Sequence, residues 1–377
     1  MAKLEEVFTF ASGGTPDKRN PSYYENGTIP WVKTGDLKNQ YVPTGIDCIT
    51  EEGLNNSSAK LFPPNTVLVA MYGATIGACS ILTYEAATNQ ACAAFLPNKN
   101  VLPTYLYYFL SSKREQFVKD GVGGAQPNIS AGYLKNVQFG LIPMQQQIDI
   151  VEKLDKVEKL IALRKEQLAK LDQLVKSRFV ELFGDTPDEE KKTMADICKI
   201  ITDGTHQPPK FTSTGIPFLF VSNIVTNEIH YDAEKFISEE TYAELIKRTP
   251  IAIGDILLST VGSYGHPAVV KSDKPFCFQR HIAYLKPNAD MVNSEYLRGA
   301  ILSADVQRQI DERVKGIAQK TLNLSEIRKL QLPLPSMEQQ EQFAAFVEQT
   351  DKSKLAIQYS LNKLELLKKS LMQKYFG

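Results

Sequence analysis

The chain contains an internal duplication. The triplet Leu182-Phe183-Gly184 recurs as Tyr375-Phe376-Gly377, 193 residues later, and the pair Gln146-Gln147 recurs as Gln339-Gln340 at the same offset. A repeat of this length exceeds any solenoid module, so the repeated unit is a whole cassette rather than one turn of a stacked array. Two similar cassettes in one chain suit a target that is itself two-fold, and duplex DNA is the commonest such target.

Each cassette ends in a long segment whose apolar residues recur at spacings of three and four, which predicts an amphipathic helix. Its apolar stripe needs a partner, so we expect the two helices to pack together; the alternative is that each covers only its own domain. The first seam comprises Ile150, Leu154, Val157, Ile161, Leu168, Leu171, Val175 and Leu182, and the second Phe343, Val347, Ile357, Leu361, Leu364 and Leu371. Thr350 and Lys354 interrupt the second seam, so its register is less regular.

Upstream of each helix, short apolar runs are broken by Gly, Pro and Asn, as is typical of strands and loops. Strands are predicted at Ile29 to Val32, Val67 to Met71, Ala91 to Leu96 and Val137 to Ile142, and a helix at Tyr105 to Val118. The predicted fold class is α+β, with two similar mixed α/β domains separated by an antiparallel coiled coil in a pseudo-twofold arrangement. The predicted domains are 1–143 and 194–335, the helical spacers 144–184 and 336–377, and the linker 185–193.

Composition limits the class of protein. Hydrophobic residues make up 43% and charged residues 23% of the 377, as in soluble globular proteins, and no run approaches the ~20 apolar residues of a membrane span. The five cysteines are scattered without the spacing of a zinc or redox site. We therefore expect a cytoplasmic protein with reduced, mostly buried thiols. The formal net charge of zero argues against strong DNA binding by the chain alone, because phosphate contacts need cations.

No convincing catalytic motif is present. Asn20-Pro21-Ser22-Tyr23 lacks the second proline of the tetrapeptide that holds a flipped base, and Gly73-Ala74-Thr75-Ile76-Gly77 lacks the Lys-Ser/Thr of a phosphate loop. All four histidines lie in the second half, so a histidine site would exist in only one cassette. We predict no catalytic residues, no metal site and no cofactor.

The two domains repeat glycine-containing loops whose polar side chains differ. Val67 to Gly73 matches Ile256 to Gly262 at an offset of 189, and Gln90 matches Gln279 at the same offset. Gln, Asn, Arg, Lys, Ser and Thr are side chains that hydrogen-bond base edges, so these loops are candidate DNA readers, the alternative being ordinary surface turns. The DNA-binding candidates are Gly14, Thr15, Lys33, Thr34, Tyr72, Thr75, Asn89, Gln90 and Gln126 in the first domain, and Thr205, His206, Ser222, Asn223, Ser263, Tyr264, His266, Gln279, Arg280, His281, Gln319 and Lys320 in the second.

Two variable-loop domains alternating with two leucine-rich helices resemble the specificity (S) subunit of type I restriction–modification enzymes. The resemblance covers nearly the full length. Its most specific parts are the strand and loop from Ile29 to Leu37, the loop from Tyr72 to Gly77, and the run from Ile142 to Asp155, with Leu334 to Phe343 as the counterpart of that run. The Gln145-Gln146-Gln147 run departs from the family pattern, where an acidic residue before Gln is more usual.

The resemblance implies a non-catalytic subunit that reads a bipartite, interrupted sequence in double-stranded DNA. It also implies that the helices fix the gap and dock two methyltransferase (M) subunits, through which restriction (R) subunits join. The candidate partner-binding residues are Gln146, Gln147, Leu154, Ile161, Leu168, Leu171, Gln339, Gln340, Leu361 and Leu364. Two other classes stay open, namely a helical adaptor with no nucleic-acid role and an enzyme with an unrecognised site.

Overall fold

The computed structural model describes residues 1–121, 128–187, 190–316 and 319–377. The chain forms two compact units: unit 1 comprises Met1–Arg164 with Ser360–Gly377, and unit 2 comprises Lys165–Tyr359. Both contain sheets and helices, which confirms the predicted α+β class. Within the described ranges no helix is both long and apolar enough to cross a membrane.

The strands of unit 1 form two four-stranded sheets and one short pair. The first sheet has the order β2-β9-β6-β7 and is antiparallel, the second has the order β4-β3-β8-β5, and β1 pairs with β10. In the second sheet β3 and β8 run parallel, so their carboxyl ends lie at the same edge. The strands are β1 Ala2–Lys3, β2 Phe10–Ser12, β3 Ile29–Val32, β4 Cys48–Ile49, β5 Leu61–Phe62, β6 Val67–Ala70, β7 Cys79–Ile81, β8 Ala86–Thr88, β9 Cys92–Phe95 and β10 Gln138–Phe139.

The helices that begin in unit 1 are short except for the last. They are α1 Leu4–Val7, α2 Glu51–Asn55, α3 Pro103–Ser112, α4 Arg114–Asp120, α5 Ala131–Lys135 and α6 Met144–Phe183. Three of the predicted strands are confirmed within one or two residues, whereas only Gln138–Phe139 of the fourth is extended. The predicted helix from Tyr105 to Val118 is divided at Lys113 into α3 and α4.

Unit 2 repeats this plan with small differences. Its four-stranded antiparallel sheet has the order β12-β18-β15-β16, its second sheet has the order β14-β13-β17 with β13 and β17 parallel, and β11 pairs with β19. The strands are β11 Lys192–Thr193, β12 Cys198–Asp203, β13 Ile216–Leu219, β14 Phe236–Ile237, β15 Ile256–Ser259, β16 Pro267–Val269, β17 Cys277–Phe278, β18 Ile282–Pro287 and β19 Gln331–Leu332. The helices are α7 Met194–Ile197, α8 Glu239–Leu245, α9 Ser294–Ile301, α10 Ala304–Arg313, α11 Leu324–Ile327 and α12 Met337–Phe376.

The long helices α6 and α12, each of 40 residues, contribute one half to each unit. In unit 1, Glu158 of α6 pairs with Lys368 of α12. In unit 2, Asp172 of α6 pairs with Lys354 of α12 at 2.6 Å. The second α6 residue lies 14 positions later than the first and its α12 partner 14 positions earlier, so the two pairs follow one antiparallel register. The expected packing of the two helices against each other is therefore confirmed.

The helix ends lie in the cores of the two units. In unit 1, Val151 and Leu154 of α6 pack in the same apolar cluster as Phe376 of α12. In unit 2, Phe179 and Phe183 of α6 pack around Phe343 of α12, with ring centroids 5.5 and 5.9 Å from it. Leu182, which the sequence places on the seam, is 41% exposed instead, because the buried face of this end of α6 is formed by the two phenylalanines.

A buried glutamine fixes the beginning of each long helix to its unit. Gln147 accepts a hydrogen bond from the backbone N–H of Leu102 at 2.9 Å and donates to the carbonyls of Asn100 and Ile142 at 2.9 and 2.8 Å. Gln340 makes the same three bonds, accepting from Asn293 N–H and donating to the carbonyls of Met291 and Pro335, at 2.8, 3.1 and 2.9 Å. Both side chains are fully buried. We refer to each of these three-bond arrangements as a glutamine clasp.

Candidate nucleic-acid interface

In unit 1, polar residues gather where the parallel strands β3 and β8 end. Lys33 follows β3, and Asn89 and Gln90 follow β8; the backbone N–H of Asn89 donates to Val32 O at 2.9 Å. The segment after β2 lies beside them, because the N–H of Gly14 donates to Thr88 O at 2.9 Å. Gly13 is required there, since a Cβ at that position would lie 2.0 Å from Thr88 O.

The loop that follows β6 joins this edge. The N–H of Met71 donates to Ala91 O at 2.9 Å, which places the turn Gly73–Thr75 next to the residues after β8. Ile129 N–H donates to Met71 O at 3.0 Å and brings a fifth segment to the same place. Tyr72 leads into this turn with its side chain 43% exposed. We call the surface formed by Thr15, Lys33, Tyr72, Thr75, Asn89 and Gln90 the loop face of unit 1.

Unit 2 forms its loop face with the same backbone contacts. Gln279 N–H donates to Leu219 O at 3.1 Å, and Thr205 N–H donates to Phe278 O at 3.2 Å. Thr260 N–H donates to His281 O at 2.9 Å. Two more bonds, from Leu322 N–H to Thr260 O at 2.8 Å and from Gly262 N–H to Lys320 O at 3.1 Å, hold the fifth segment. The loop face of unit 2 contains Thr205, His206, Ser263, Tyr264, His266, Gln279, Arg280, His281, Gln319 and Lys320.

These contacts correct the residue correspondence that the sequence suggested. In unit 1 the backbone N–H of Asn89 donates to the last carbonyl of the neighbouring parallel strand β3. In unit 2 the N–H of Gln279 makes the corresponding bond to the end of β13. Gln90 therefore corresponds to Arg280, not to Gln279. The segment from β15 to β18 in unit 2 is one residue longer than the corresponding segment from β6 to β9 in unit 1. The sequence alone does not show in which loop the extra residue lies, so the two positions were matched one residue out of step.

Several polar side chains of the unit 1 loop face are held by other residues of the chain. Lys33 forms an ion pair with Asp47, and its ammonium lies 5.9 Å from the Trp31 ring centroid. The hydroxyl of Thr75 donates to Tyr72 O at 3.2 Å, and that of Thr15 donates to the side-chain carbonyl of Gln90. Within the described ranges, the amide nitrogen of Gln90 donates to no other group, and its side chain is exposed. This face is therefore lined mainly by neutral hydrogen-bonding groups.

The unit 2 loop face differs by carrying imidazoles and a guanidinium. His206 contacts Asp203 at 2.9 Å, and Ser263 contacts His266 at 3.2 Å. Burial lowers the pKa of His266, and burial together with the charge of Arg280 lowers the pKa of His281. Both imidazoles are therefore neutral near pH 7, and each has one donor and one acceptor nitrogen.

A cleft of about 420 Å³ opens in the unit 2 loop face. Arg280, His281, Gln319, Thr260 and Asn323 contribute polar groups to its wall, and Asp203 lies at its side. Beside it, the Tyr264 hydroxyl donates to Asp311 at 2.9 Å, and the Lys320 ammonium lies 5.9 Å from the Tyr264 ring centroid. The cleft can accept a flat group with acceptors at its edge, such as a base edge.

Two DNA-binding candidates do not lie on the loop faces as accessible groups. Gly14 is buried, and its carbonyl accepts a hydrogen bond from the Trp31 indole at 3.1 Å. The amide of Asn223 is used within its loop, accepting from Phe220 N–H at 2.9 Å and donating to the carbonyl of His230 at 3.0 Å. Gln126 lies outside the described residues. Thr34 and Ser222 lie in the short 3₁₀ turns Thr34–Asp36 and Val221–Asn223, after β3 and β13 respectively.

The structure corrects the candidate partner-binding residues. Gln147 and Gln340 are the fully buried glutamines of the clasps, so neither can contact a partner without unfolding. Leu154, Ile161 and Leu361 are also buried and are equally inaccessible. Gln146 and Gln339 are exposed, and Leu168, Leu171 and Leu364 are half-buried.

Other apolar residues of the long helices are exposed, and the sequence analysis missed them. On the part of α6 and α12 in unit 1 they are Leu160, Leu163, Leu366 and Leu367, and on the part in unit 2 they are Leu174, Val180, Leu182, Leu355 and Tyr359. Contiguous exposed apolar residues indicate an interaction surface. Leu182 was predicted to lie on the seam, and most of the others lie one or two positions from a seam residue, so a search for a single apolar stripe does not find them.

The family comparison identifies the class of protein. The model of the type I restriction modification DNA specificity domain matches residues 1–173 and again residues 188–366. The chain therefore belongs to the family of type I restriction–modification specificity subunits and contains two DNA specificity domains. It is a DNA-recognition subunit.

Individual relatives agree with this assignment. The chain is 25% identical over 375 residues to the type I restriction enzyme MjaIX specificity subunit of Methanocaldococcus jannaschii, covering 92% of this chain and 85% of the relative. It is 30% identical over 162 residues to the EcoR124I/EcoR124II specificity subunit of Escherichia coli, covering 42% and 40% of the two chains.

Solved structures share the fold. The S subunit of a type I restriction–modification system from M. genitalium covers 100% of this chain and 95% of its own, with a TM-score of 0.55 at 15% identity. A chain from a structure of complex assembly and conformational transition in the type I R-M system has a TM-score of 0.60 at 17% identity, covering 100% and 96%.

Proposed function

We propose that each loop face reads one half of a bipartite, interrupted DNA sequence. The observation that carries this proposal is that both units join three further segments to the ends of a parallel strand pair by matching backbone bonds, while the polar side chains there differ. A repeated frame with different hydrogen-bonding groups suits two different half-sites. Residues 1–143 and 194–335 would act as the target-recognition domains.

The two long helices, 144–184 and 336–377, with the linker 185–193 between the cassettes, would serve as spacers and docking surface. Because each helix belongs partly to both units, its length is expected to set the gap between half-sites. Two methyltransferase subunits would bind the exposed apolar residues of α6 and α12, and restriction subunits would join through them. The exposed Leu160, Leu163 and Leu366 support such a surface in unit 1, and Leu174 and Leu355 support one in unit 2.

We also propose that the chain performs no chemistry itself and acts in the cytoplasm. The two loop faces share a backbone but no common set of acid, base or nucleophile side chains, so a reaction common to both is not supported. With a formal net charge of zero, the chain would depend on its methyltransferase partners for much of the phosphate contact.

A half-site experiment tests this proposal. The chain is produced together with the methyltransferase subunit of its own system, and modified sites are mapped by sequencing genomic DNA. Gln90→Ala should relax recognition in one half-site only, by roughly 1–3 kcal/mol for a lost bidentate base contact. Lys99→Ala is the matched control, because exposed Lys99 follows the opposite end of β9 from Gln90.

The outcomes separate the alternatives. Relaxation of one half-site with an unchanged second half-site supports two independent readers. Equal loss across both half-sites would assign Gln90 to phosphate contact or to the fold. Absence of any sequence-specific modification or binding by the assembled complex would favour an adaptor without a nucleic-acid role.

A further inference from the structure

Arg280 differs from the other arginines of unit 2 in how its guanidinium is used. Among the described residues, each of the others directs a terminal nitrogen to an acceptor of the chain: Arg178 to Glu181, Arg248 to Asp203, Arg298 to Asp351, Arg308 to Asp305 and Glu312, Arg313 to Gln309 O, and Arg328 to Ile201 O. The Arg280 guanidinium contacts one described group only, the imidazole of His281, through Nε. Its two terminal nitrogens donate to no group in the described part of the chain.

The backbone around Arg280 is fixed on both sides. Its own N–H donates to Thr205 O at 3.1 Å, and the carbonyl of the next residue, His281, accepts from Thr260 N–H at 2.9 Å. The exposed side chain stands at the wall of the 420 Å³ cleft, together with His281 and Gln319. A fixed backbone reduces the conformational freedom that a long side chain loses on binding.

His281 orients the guanidinium. Arg280 Nε donates to His281 Nε2 at 3.4 Å, a long contact that uses Nε and neither terminal nitrogen. The contact requires an unprotonated Nε2, and the lowered pKa of His281 is consistent with a neutral ring at pH 7. Burial and the positive charge of Arg280 both favour the neutral form of the His281 ring. Asp203 lies at the side of the same cleft.

We propose that Arg280 reads a guanine in the half-site recognised by unit 2, with His281 as the residue that positions it. The two terminal N–H groups match the O6 and N7 acceptors that guanine presents in the major groove, which is the commonest specific arginine contact to DNA. No other base offers two adjacent acceptors there: adenine combines N7 with an N6 donor, and cytosine presents a donor. The inference rests on the proposed function of the loop faces.

The other cation of this face suits a different contact. Lys320 carries a single ammonium close to the Tyr264 ring and lacks the planar fork of arginine. The residue of unit 1 that corresponds to Arg280 is Gln90, whose side chain combines a donor with an acceptor. The two loop faces are thus expected to differ in base preference at the corresponding position, with the guanine confined to the half-site of unit 2.

The test uses the full chain assembled with its methyltransferase subunit. Genomic DNA modified by the wild-type complex is sequenced to define the target, and binding to oligonucleotides with each base at every target position is then measured for Arg280→Lys and Arg280→Gln. We expect discrimination at one guanine to fall by roughly 5- to 150-fold, with the other positions unchanged. Thermal unfolding checks that both variants stay folded.

Two controls accompany these variants. Arg308→Gln removes the same charge from unit 2, but its guanidinium is already paired with Asp305 and Glu312, so the target should stay unchanged. His281→Ala should weaken discrimination at the same guanine as the Arg280 variants, and His281→Gln, which keeps an acceptor, should restore part of it. A purely structural role for His281 would lower affinity for all sequences equally.

Several results would overturn the inference. If Arg280→Gln relaxes a position that is not guanine, or leaves the target unchanged, Arg280 does not read guanine although the loop faces remain the readers. If affinity falls equally for every sequence and its dependence on salt weakens, Arg280 contacts a phosphate. If the wild-type complex recognises no sequence at all, the proposed function fails and the inference fails with it.

Discussion

The two units have the same backbone frame but fill its interior in different ways. In unit 2, the buried Asp255 accepts hydrogen bonds from the Tyr284 hydroxyl at 2.7 Å and from the Lys286 ammonium at 3.0 Å. At the positions corresponding to these three residues, unit 1 has Thr66, Ala94 and Leu96. A buried ionic group in one unit is thus replaced by a hydroxyl and apolar side chains in the other.

What the units do share is the set of contacts that define the frame. The glutamine clasps make the same three hydrogen bonds in both. Gly13 and Gly204 both lie against the end of the neighbouring parallel strand, where a Cβ would be 2.0 and 2.2 Å from a carbonyl oxygen. The glutamine clasps and the close contacts of these two glycines with a backbone carbonyl therefore specify the shared frame. The polarity of the core and the polar side chains of the loops vary within it.

The largest loss of stability is expected when a glutamine clasp is removed. Gln147→Ala and Gln340→Ala each leave one N–H and two carbonyls, in partly buried positions, without their partners, at about 1–3 kcal/mol per fully buried group. Allowing for some water entry, we expect each substitution to lower the free energy of unfolding by about 3–5 kcal/mol. Urea denaturation, followed by hydrogen exchange in each unit, measures this.

Exposed glutamines on the same helices supply the controls for the clasps. Gln146→Ala and Gln342→Ala should change stability by less than about 0.5 kcal/mol. A large loss for one clasp variant and a negligible loss for the other would break the comparison, because it would mean that one clasp does not fix the frame.

The second largest effect is expected at the glycines that lie against a backbone carbonyl beside each loop face. Gly13→Ala and Gly204→Ala place a methyl group against a backbone carbonyl, so the strand end must shift, at about 1–3 kcal/mol for overpacking. Each variant should also impair recognition of its own half-site. Gly35→Ala is the control, since no atom lies within 4 Å of its Cβ position. Normal recognition and stability in either variant would contradict a shared constraint at this site.

A third substitution sharpens the difference between the two interiors. Asp255→Ala removes the acceptor of a buried ionic group and should destabilise unit 2 by about 2–3 kcal/mol, less than a fully buried pair because Lys286 is 27% exposed. Thr66→Ala removes only a hydrogen bond to Pro63 O and should cost about 1 kcal/mol. Chemical denaturation measures the stability of both variants. Equal losses of stability would contradict the expected difference between the two interiors.

The smallest effect is a pH dependence confined to unit 2, which contains all four histidines. The lowered pKa values of His266 and His281 mean that the unfolded chain binds protons first as the pH falls below about 6.5. Their contribution is therefore present above that pH and is lost as the pH falls below it.

Hydrogen exchange at pH 7.5 and 6.0 distinguishes the units in this respect. The free energy of opening should be the same at both pH values for the amides of unit 1. For the amides of unit 2 it should be slightly lower at pH 6.0. The double variant His266→Gln, His281→Gln should reduce that loss. An equal decline in both units would trace the pH dependence to carboxylates instead.

Sequence alone was sufficient for features that repeat with a period. The duplication, the two long helices and strands such as Ile29–Val32 and Val67–Ala70 follow from spacing and apolar runs, and the structure confirms them. The loops of both candidate faces were located because glycines mark them at matching positions. The assignment of loop residues to base contact stays a prediction.

Features that depend on three-dimensional contacts could not be predicted. Glutamine is usually an exposed residue, so nothing in the chain indicated that Gln147 and Gln340 are fully buried. The correspondence of Gln90 with Arg280 needed the hydrogen-bond pattern, because an extra loop residue shifts the count by one. The second seam looked weak at Thr350, whose buried hydroxyl donates to Phe346 O at 2.9 Å and so satisfies itself within the helix.

The position of the last residues of α12 has a consequence for the order of events during synthesis. Phe376 packs against Tyr105 and Phe109, with ring centroids 5.3 and 6.2 Å away, so the core of unit 1 includes residues that are translated after all of unit 2. The first 164 residues must wait while all of unit 2 is translated. At about 5–20 residues per second, that delay is on the order of ten seconds or more. During it, the apolar face of α3 lacks its cover, and transient protection by a chaperone would raise the yield of folded chain.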